Sequence, residues 1–553
     1  MKVVIVGGVA SGMSAATRLR RLQEDAEIVV YEMSEHVSYA NCGLPYFVGD
    51  VIKRRDALLL QSPESLWARF RISVHVNHRV MSIDRNRKIV TVENLKSGQV
   101  FEDSYDYLVL ATGAKPKRLP LPGIERALEL RNVTDADIIK RAIAKNQAKT
   151  AVILGAGFIG LELAENLKNI GLEVTILQRG NQILSQVDPE MTQPLLQKLR
   201  EEGVEVLFNS VVTEITDRHV ILENASEYSA DLVFTAAGVE PDISLAREAG
   251  LRIGKTGGLW VDDRQFTSDP SILAAGDAVE KQGELVSENT LVSLANLANR
   301  HGRLIADVIS GKDVHAHPAL GTAIVGAFGI TLGITGMSEK FAVQQGIAHS
   351  VIHVHPNNHA NYYPGSTRLS LKAIFDPTTG VLLGAQAVGE NGVDKRIDVL
   401  ATAIRNKMTV DELMDLELSY APQFGSAKDA INILGYVANN VWHGVTPSIQ
   451  WHQIGSAIAN GAVLVDVRSA SEHSNGAIPD SINIPVDELR EKIGELVGKR
   501  IVVYCAVGQR GHIATQILKS NDIIAQNLDG GYATWFQAKD GSQGSQTVEP
   551  SNR

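Results

Sequence analysis

Cysteine is almost missing from this chain, with two in 553 residues, Cys42 and Cys505. Two cysteines so far apart cannot build a disulfide framework. That excludes a disulfide-scaffolded fold and points to reactive thiols in a reducing, cytoplasmic compartment. Positive charge is not in excess either. Lysine and arginine number 53 against 63 acids, for a net charge of −10. Nucleic acid is thereby excluded as the main partner, while local basic pockets for anionic ligands stay open. Long apolar runs are scarce. The uncharged stretch 319–338 (ALGTAIVGAFGITLGITGMS) is long enough to raise a bilayer-spanning reading. Its scattered glycines and threonines instead predict buried strands with turns, and no membrane insertion. The opening MKVVIVGGVASGM reads as a buried strand entering a glycine turn rather than as a signal peptide.

What the chain does contain is glycine at particular places. The length predicts roughly three to five domains. Residues 2–6 (KVVIV) read as a strand and 10–22 as a helix, joined by Gly7-Gly8-Val9-Ala10-Ser11-Gly12. A second strand, EIVVYE, ends at Glu32, with Met33 after it. This is a Rossmann-type opening. The glycines let the backbone approach a pyrophosphate, the helix N-terminus offers N–H groups, and the acid accepts a ribose hydroxyl. Val9 stands where the middle glycine is expected.

Residues 151–177 repeat the device without that defect, with Gly155, Gly157 and Gly160 between strand and helix. At the end of the next strand stand Gln178 and Arg179 instead of an acid. A carboxylate there would repel a 2′-phosphate, and its absence beside an arginine admits NADPH as well as NADH. Two more signals follow. YLVLATGA (107–114) is a strand ending in Ala111-Thr112-Gly113, and TSDPSILAAGDAV (267–279) is a turn, a short strand and Gly276-Asp277.

With these motifs the chain resembles the pyridine nucleotide-disulfide oxidoreductases of the two-dinucleotide-domain type. The resemblance implies FAD on the first fold and NADH or NADPH on the second. It also implies that Asp277 binds the ribityl chain and that Glu162 lies by the nicotinamide–flavin stack. The FAD domain is then discontinuous, 1–112 plus 241–320. The nicotinamide domain, 113–240, is inserted in it, and Gly238 in GVEPD marks the return.

Cys42 has no second cysteine nearby, so a local dithiol is impossible. Its oxidised state is then either a mixed disulfide with a small thiol or a sulfenic acid. SYANCGLPY (38–46) is similar to the S-F-A-N-C-G-L-P-Y signature of coenzyme A disulfide reductases, with Tyr39 for Phe. That resemblance implies coenzyme A as substrate or bound thiol. It implies contacts from Ser14, Arg18, Arg21, Ser38, Asn41 and Lys428, whose basic members otherwise read as a solvated face. It continues through NHANYYPG (358–365), VDKRIDVL (393–400) and LSYAP (418–422). These stretches imply a dimerisation domain over 321–437, a homodimer, and Tyr362 and Tyr420 reaching toward the cysteine across the interface, with Tyr363 as the alternative to Tyr362. His353, His355 and His359 invite a metal reading, but only histidines are offered, so no metal is expected.

A stretch read as a linker (438–456) precedes a new α/β unit, 457–540, and a polar tail, 541–553, follows it. In Cys505-Ala-Val-Gly-Gln-Arg510 the cysteine ends an apolar strand and faces a helix N-terminus, where successive N–H groups stabilise a thiolate or persulfide. The Cys-x4-Arg spacing is one residue shorter than the Cys-x5-Arg of cysteine phosphatases and suits a sulfur atom better than a phosphate. The unit resembles a rhodanese domain, with Ala477 where many members have His.

The expected fold class is α/β, with two Rossmann-like domains, an α+β dimerisation domain and a C-terminal rhodanese domain. The whole chain resembles the fused coenzyme A disulfide reductase–rhodanese proteins. That implies NAD(P)H-dependent reduction of a CoA disulfide, CoA persulfide or polysulfide through Cys42, with Cys505 carrying sulfane sulfur and Arg510 beside it. Three alternatives stand against this reading. They are an NADH oxidase or peroxidase using a Cys42 sulfenic acid, a non-catalytic CoA-binding redox sensor, and a thiosulfate sulfurtransferase with an accessory flavoprotein.

Overall fold

The computed structural model describes residues 1–286 and 288–543. The chain forms two compact units. One comprises Met1–Arg179 and Gly203–Gly321, the other Gly180–Glu202 and Thr322–Arg553.

In the first unit, strand Lys2–Val6 lies between Glu27–Glu32 and Tyr107–Leu110, with Ser73–Val76 and Ile272–Ala274 at the edges, all parallel. After Lys2 this strand is apolar at every position because both faces are covered. Val3 and Ile5 join the core on one face, Val4 and Val6 the core on the other. Helix Ala10–Leu22 packs on helix Ala295–Ile309. Gly302 permits the close approach, since a Cβ there would fall 2.2 Å from the Ser11 carbonyl oxygen.

The chain leaves this sheet after Leu110 and returns at Ile272–Ala274, which pairs with Tyr107–Leu110. Between them lies a second parallel sheet, Glu205–Leu207, Glu173–Leu177, Thr150–Leu154 and Leu232–Thr235. An antiparallel link pairs Ala114–Pro116 with Val239–Pro241.

The second unit holds an antiparallel five-stranded sheet in the order Ala323–Ala327, Ile330–Gly336, Leu382–Gly389, Leu369–Phe375, Ser350–Val354. The uncharged run 319–338 is thus largely the first hairpin of this sheet. No helix among the described residues is long and apolar enough to cross a membrane. Residues 180–202 fall in this unit, although they sit in sequence between two strands of the nicotinamide-type sheet. The segment is held there by apolar burial of Met191, Leu195, Leu196 and Leu199 and by ion pairs. Asp188 and Glu190 are buried against Lys372 of the antiparallel sheet.

Downstream, a parallel sheet orders Ser448–Ile449, Ala525–Leu528, Arg500–Tyr504, Ala462–Asp466 and Ile482–Asn483. The stretch 438–456, expected as a linker, is built from regular elements. Helix Ala430–Trp442 runs into it, and Ser448–Ile449 is the edge strand of the last sheet, with Ile449 buried. The expected polar tail begins inside helix Gly531–Gln543, and its remainder lies outside the described residues.

Candidate functional site

The first glycine turn is built as a cradle. Gly7 has φ +101°, and a Cβ there would lie 2.3 Å from the Ala111 carbonyl oxygen. A Cβ on Gly12 would lie 1.9 Å from the Gly7 carbonyl oxygen. Helix Ala10–Leu22 starts at Val9 with no side-chain cap, so its first N–H groups have no partner from a capping residue. Glu32 is buried and accepts from Gly8 N–H at 2.7 Å and Ser34 N–H at 2.8 Å, which aims the carboxylate at the turn. Each oxygen keeps a second acceptor site for a ribose hydroxyl. Met33 is exposed beside it. Ser11 donates to the Ala275 carbonyl at 3.4 Å, and the positive φ of Gly276 (+87°) brings its backbone against Ser11. Ala111, Thr112 and Gly113 close the far side. Thr112 donates to the Asp242 carbonyl at 2.7 Å, and Asp242 N–H donates to Gly113.

The second turn follows the same plan. Gly155 (φ +113°) abuts the Ala236 carbonyl and Gly160 abuts Gly155, whereas a Cβ on Gly157 would meet nothing within 4 Å. Helix Phe158–Asn169 also lacks a side-chain cap. Gln178 takes the place of Glu32 here, its Oε1 accepting from Ala156 N–H at 3.0 Å, and Arg179 is exposed next to it. Gly238 has φ +97°. Both turns fit a dinucleotide pyrophosphate, with a helix start free of side-chain caps and a ribose acceptor at each, and with open space at Gly157 in the second.

Cys42 lies in a 3-10 turn, Asn41–Gly43, that runs into the short helix Leu44–Val48, and it is exposed. The packed wall behind it, then the carboxylates of Glu162 and Asp277, push the Cys42 thiol up. Glu162 is itself raised by burial and accepts from the Tyr46 hydroxyl at 3.3 Å. Asp277 faces Arg131 at 4.0 Å. The structure therefore brings Cys42, Glu162 and Asp277 together from three distant segments. Tyr46 is a member of this group that sequence reasoning missed, although it is the last residue of SYANCGLPY. Asn41 Oδ1 is buried without a partner, an acceptor left for a donor that the protein does not supply.

The remaining expected substrate contacts divide. Ser14 donates to Asn299 at 2.6 Å. Arg18 is held by Asp307 through Nε and Nη2, at 3.1 and 2.8 Å, and Asp307 also pairs with Lys312. Arg21 is exposed on the last turn of its helix, and Ser38 is half-buried with φ 49°.

In the second unit Lys428 is exposed. The Tyr362 and Tyr420 hydroxyls lie 3.1 Å apart on exposed side chains, while the Tyr363 ring packs edge-on against His359. Of the two adjacent tyrosines, Tyr362 is the one paired with Tyr420. The histidine cluster is dispersed into separate duties. His353 and His355 are buried, the first against Asp529 and Glu190, the second against Ser370 and Thr534. The one group with metal-like spacing among the described residues, Asp188, Glu190 and Glu339, has Lys372 Nζ against all three, at 2.9, 2.5 and 2.6 Å.

Cys505 is buried at the end of strand Arg500–Tyr504, and its Sγ accepts from Gly508 N–H at 3.1 Å. Gly508 takes φ +96°, which turns the loop into helix Gln509–Lys519. Arg510, expected beside the sulfur, faces Cys505 and is also gripped through both terminal nitrogens by Glu472, at 2.7 and 2.6 Å. Glu472 was not legible as a site residue. Its only sequence signal is the Ser469-x-x-Glu capping box.

Residues 1–302 match the pyridine nucleotide-disulphide oxidoreductase family, 322–430 its dimerisation domain and 451–538 a rhodanese-like domain. A coenzyme A disulfide reductase of Staphylococcus aureus is 34% identical over 438 residues, 79% of this chain and 99% of that one. The crystal structure of reduced Bacillus anthracis CoADR-RHD superposes with a TM-score of 0.96 at 41% identity, covering 98% of each chain. A NAD-dependent persulfide reductase from A. fulgidus superposes at 0.90 with 36% identity, over 97% of this chain and 100% of that one.

Proposed function

We propose a function from one premise: this chain belongs to the pyridine nucleotide-disulphide oxidoreductase family, in the form that carries a rhodanese-like domain. It is an FAD- and NAD(P)H-dependent disulfide or persulfide reductase. The turn at Gly7–Gly12 with Glu32 would hold the FAD, and the turn at Gly155–Gly160 with Gln178 and Arg179 the pyridine nucleotide. When bound, the pair supplies a hydride and hence two electrons to sulfur.

The substrate we assign is a coenzyme A disulfide or persulfide. The Cys42 thiolate attacks one sulfur of the substrate S–S bond. A Cys42–S bond forms, the substrate bond breaks, and its electron pair leaves on a thiolate or hydrosulfide. Two electrons then cleave the mixed disulfide and return Cys42 to the thiolate. The paired Tyr362 and Tyr420 hydroxyls, which we place near a Cys42 of the second copy in a homodimer, donate protons to the leaving sulfur. Tyr362, Tyr363, Tyr420 and Phe424 are exposed aromatics on the dimerisation unit, the kind of surface a second copy covers. Cys505, cradled by the loop that ends at Arg510, carries sulfane sulfur between donor and reductase. Both thiols are free, in keeping with a reducing cytoplasm.

The observation that carries this reading is the exposed Cys42, beside an unpartnered Asn41 acceptor and with no cysteine to pair with. The test is the intact mass of unreduced protein. A coenzyme A-sized adduct that disappears in Cys42→Ser supports the reading. A single added oxygen in its place would redirect it to the oxidase or peroxidase. CoA-persulfide turnover with NAD(P)H that survives Cys42→Ser would overturn the mechanism.

A further inference from the structure

We propose that Asn527 is a positioning residue for the Cys505 site, its amide anchoring Gly508, the residue whose N–H faces the sulfur. The proposal rests on the reading that Cys505 carries sulfane sulfur. It goes further by naming the side chain that sets the geometry of that site.

Strand Ala525–Leu528 lies inside its sheet, paired on one side with Arg500–Tyr504 and on the other with Ser448–Ile449. Asn527 stands opposite Val503, two residues before Cys505, and its own N–H donates to the Pro447 carbonyl at 2.9 Å. Apolar residues ordinarily fill buried positions of an interior parallel strand, yet Asn527 is buried there. Its Nδ2 donates to the Gly508 carbonyl at 3.0 Å. Gly508 N–H donates in turn to Cys505 Sγ at 3.1 Å. Gly508 has φ +96° and ψ −26°, and a glycine has the freedom to leave such a conformation. Holding its carbonyl keeps its N–H from swinging off the sulfur.

The amide serves this contact at a cost. Asn527 Oδ1 is buried with no hydrogen-bond partner. Turning the amide over would set Oδ1 against the Gly508 carbonyl oxygen, acceptor against acceptor. The side chain therefore leaves one acceptor unmet to place one donor, and an unmet buried polar atom calls for such an explanation. The neighbours are fitted to it. A Cβ on Gly511 would lie 2.0 Å from Asn527 Oδ1, and a Cβ on Gly531 would lie 2.8 Å from Gly508 N. The charged and titratable groups around the loop have partners of their own. Arg510 faces Cys505 and is held by Glu472, His512 Nδ1 meets the Thr446 hydroxyl at 2.6 Å, and Asp529 is bound by His353.

Loading of the site shows what the anchored N–H does. The Cys505 thiolate attacks the outer sulfur of a persulfide R–S–SH. A new S–S bond forms at Cys505, the donor S–S bond breaks, its electron pair leaves on R–S⁻, and Cys505–S–SH remains. The attacking species is an anion, and a hydrogen bond to an anion is stronger than one to a neutral thiol. A backbone N–H fixed on Sγ therefore raises the share of the thiol that is ready to attack.

The experiment uses full-length protein with FAD and without NAD(P)H, in a Cys42→Ser background that leaves Cys505 as the one thiol. Glutathione persulfide is the donor, and intact mass reads the rate at which one sulfur atom is gained. Asn527→Leu, which keeps the shape and removes the donor, should load roughly three- to tenfold more slowly than the parent at about pH 8. Asn527→Asp should be similarly slow there, because a carboxylate oxygen then faces the Gly508 carbonyl. Its rate relative to the parent should recover as the pH falls to about 5, where the buried carboxyl gains a proton to donate. The Asn527→Leu deficit should stay constant over the same range. An Asn527→Leu protein that loads at the parent rate overturns the proposal. So does an Asn527→Asp deficit that is the same at both pH values, which would make Asn527 a packing residue. A Cys42→Ser parent that gains no sulfur overturns the sulfur-carrier reading, a failure distinct from the other two.

Discussion

Asp529 accepts two hydrogen bonds from His353, one from the backbone N–H at 3.1 Å and one from the imidazole Nδ1 at 2.6 Å. The pair joins the rhodanese-like domain to the edge strand Ser350–Val354 of the antiparallel sheet. Asp529 begins the segment Asp529-Gly-Gly-Tyr532, and Tyr532 N–H donates to the Cys505 carbonyl at 2.7 Å. A Cβ on Gly531 would lie 2.4 Å from that same oxygen, and one on Gly530 would lie 2.8 Å from His353 Cβ. One short segment therefore touches both the sulfur loop and the sheet.

That contact has a pH dependence. Burial alone would lower His353, but Asp529 and Glu190 outweigh it and raise it to about 9, against a repulsive Lys372 nearby. Below the unfolded value of about 6.5 the stabilisation is complete. It declines as pH rises toward 9 and is lost above that, on the order of 3 kcal/mol in all. Thermal unfolding followed from pH 6 to 10 should show this fall. In His353→Asn the fall should be absent and the stability lower at neutral pH.

Lys372 is fully buried among Asp188, Glu190 and Glu339. Replacing it with Met leaves three acids with no cation between them, at a cost of about 3–5 kcal/mol. The urea midpoint should drop accordingly. Lys372→Met combined with Glu190→Gln should recover part of the loss.

Cys42 is raised by the protein packed around it and then by Glu162 and Asp277. In flavin-free protein its alkylation rate should rise with pH through a midpoint above the ordinary thiol range. Glu162→Gln should move that midpoint down. An unchanged midpoint would remove Glu162 from the description of the site.

Arg179 is exposed beside Gln178 at the end of strand Glu173–Leu177. Arg179→Ala should lower kcat/KM for NADPH relative to NADH about tenfold, as expected for loss of a charged partner to a 2′-phosphate. Steady-state kinetics with both nucleotides reads this ratio directly.

The glycine turns and the two cysteines were legible because their chemistry depends on short spacings. A strand, a tight turn and a helix start within a dozen residues leave a local mark on the sequence. The SYANCGLPY stretch carried its resemblance for the same reason. The regular elements within 438–456, expected as a linker, were not legible, because a two-residue edge strand such as Ser448–Ile449 has too little periodicity to register in sequence.

By itself the sequence determined the order of modules, the solitary state of each cysteine and the two glycine turns between strand and helix. Tertiary structure alone decided which charges are free to act. Arg18 reads as a basic contact until Asp307 is found on it. Arg510 reads as the residue beside the Cys505 sulfur, and only the fold adds Glu472 as its partner. His353 stands in a histidine cluster from which no metal was expected, and only the fold supplies Asp529 and Glu190 on either side of it. The pairings escape sequence because an ion pair needs only proximity and opposite sign. It imposes no spacing along the chain, so only the fold can say which partner each charge has.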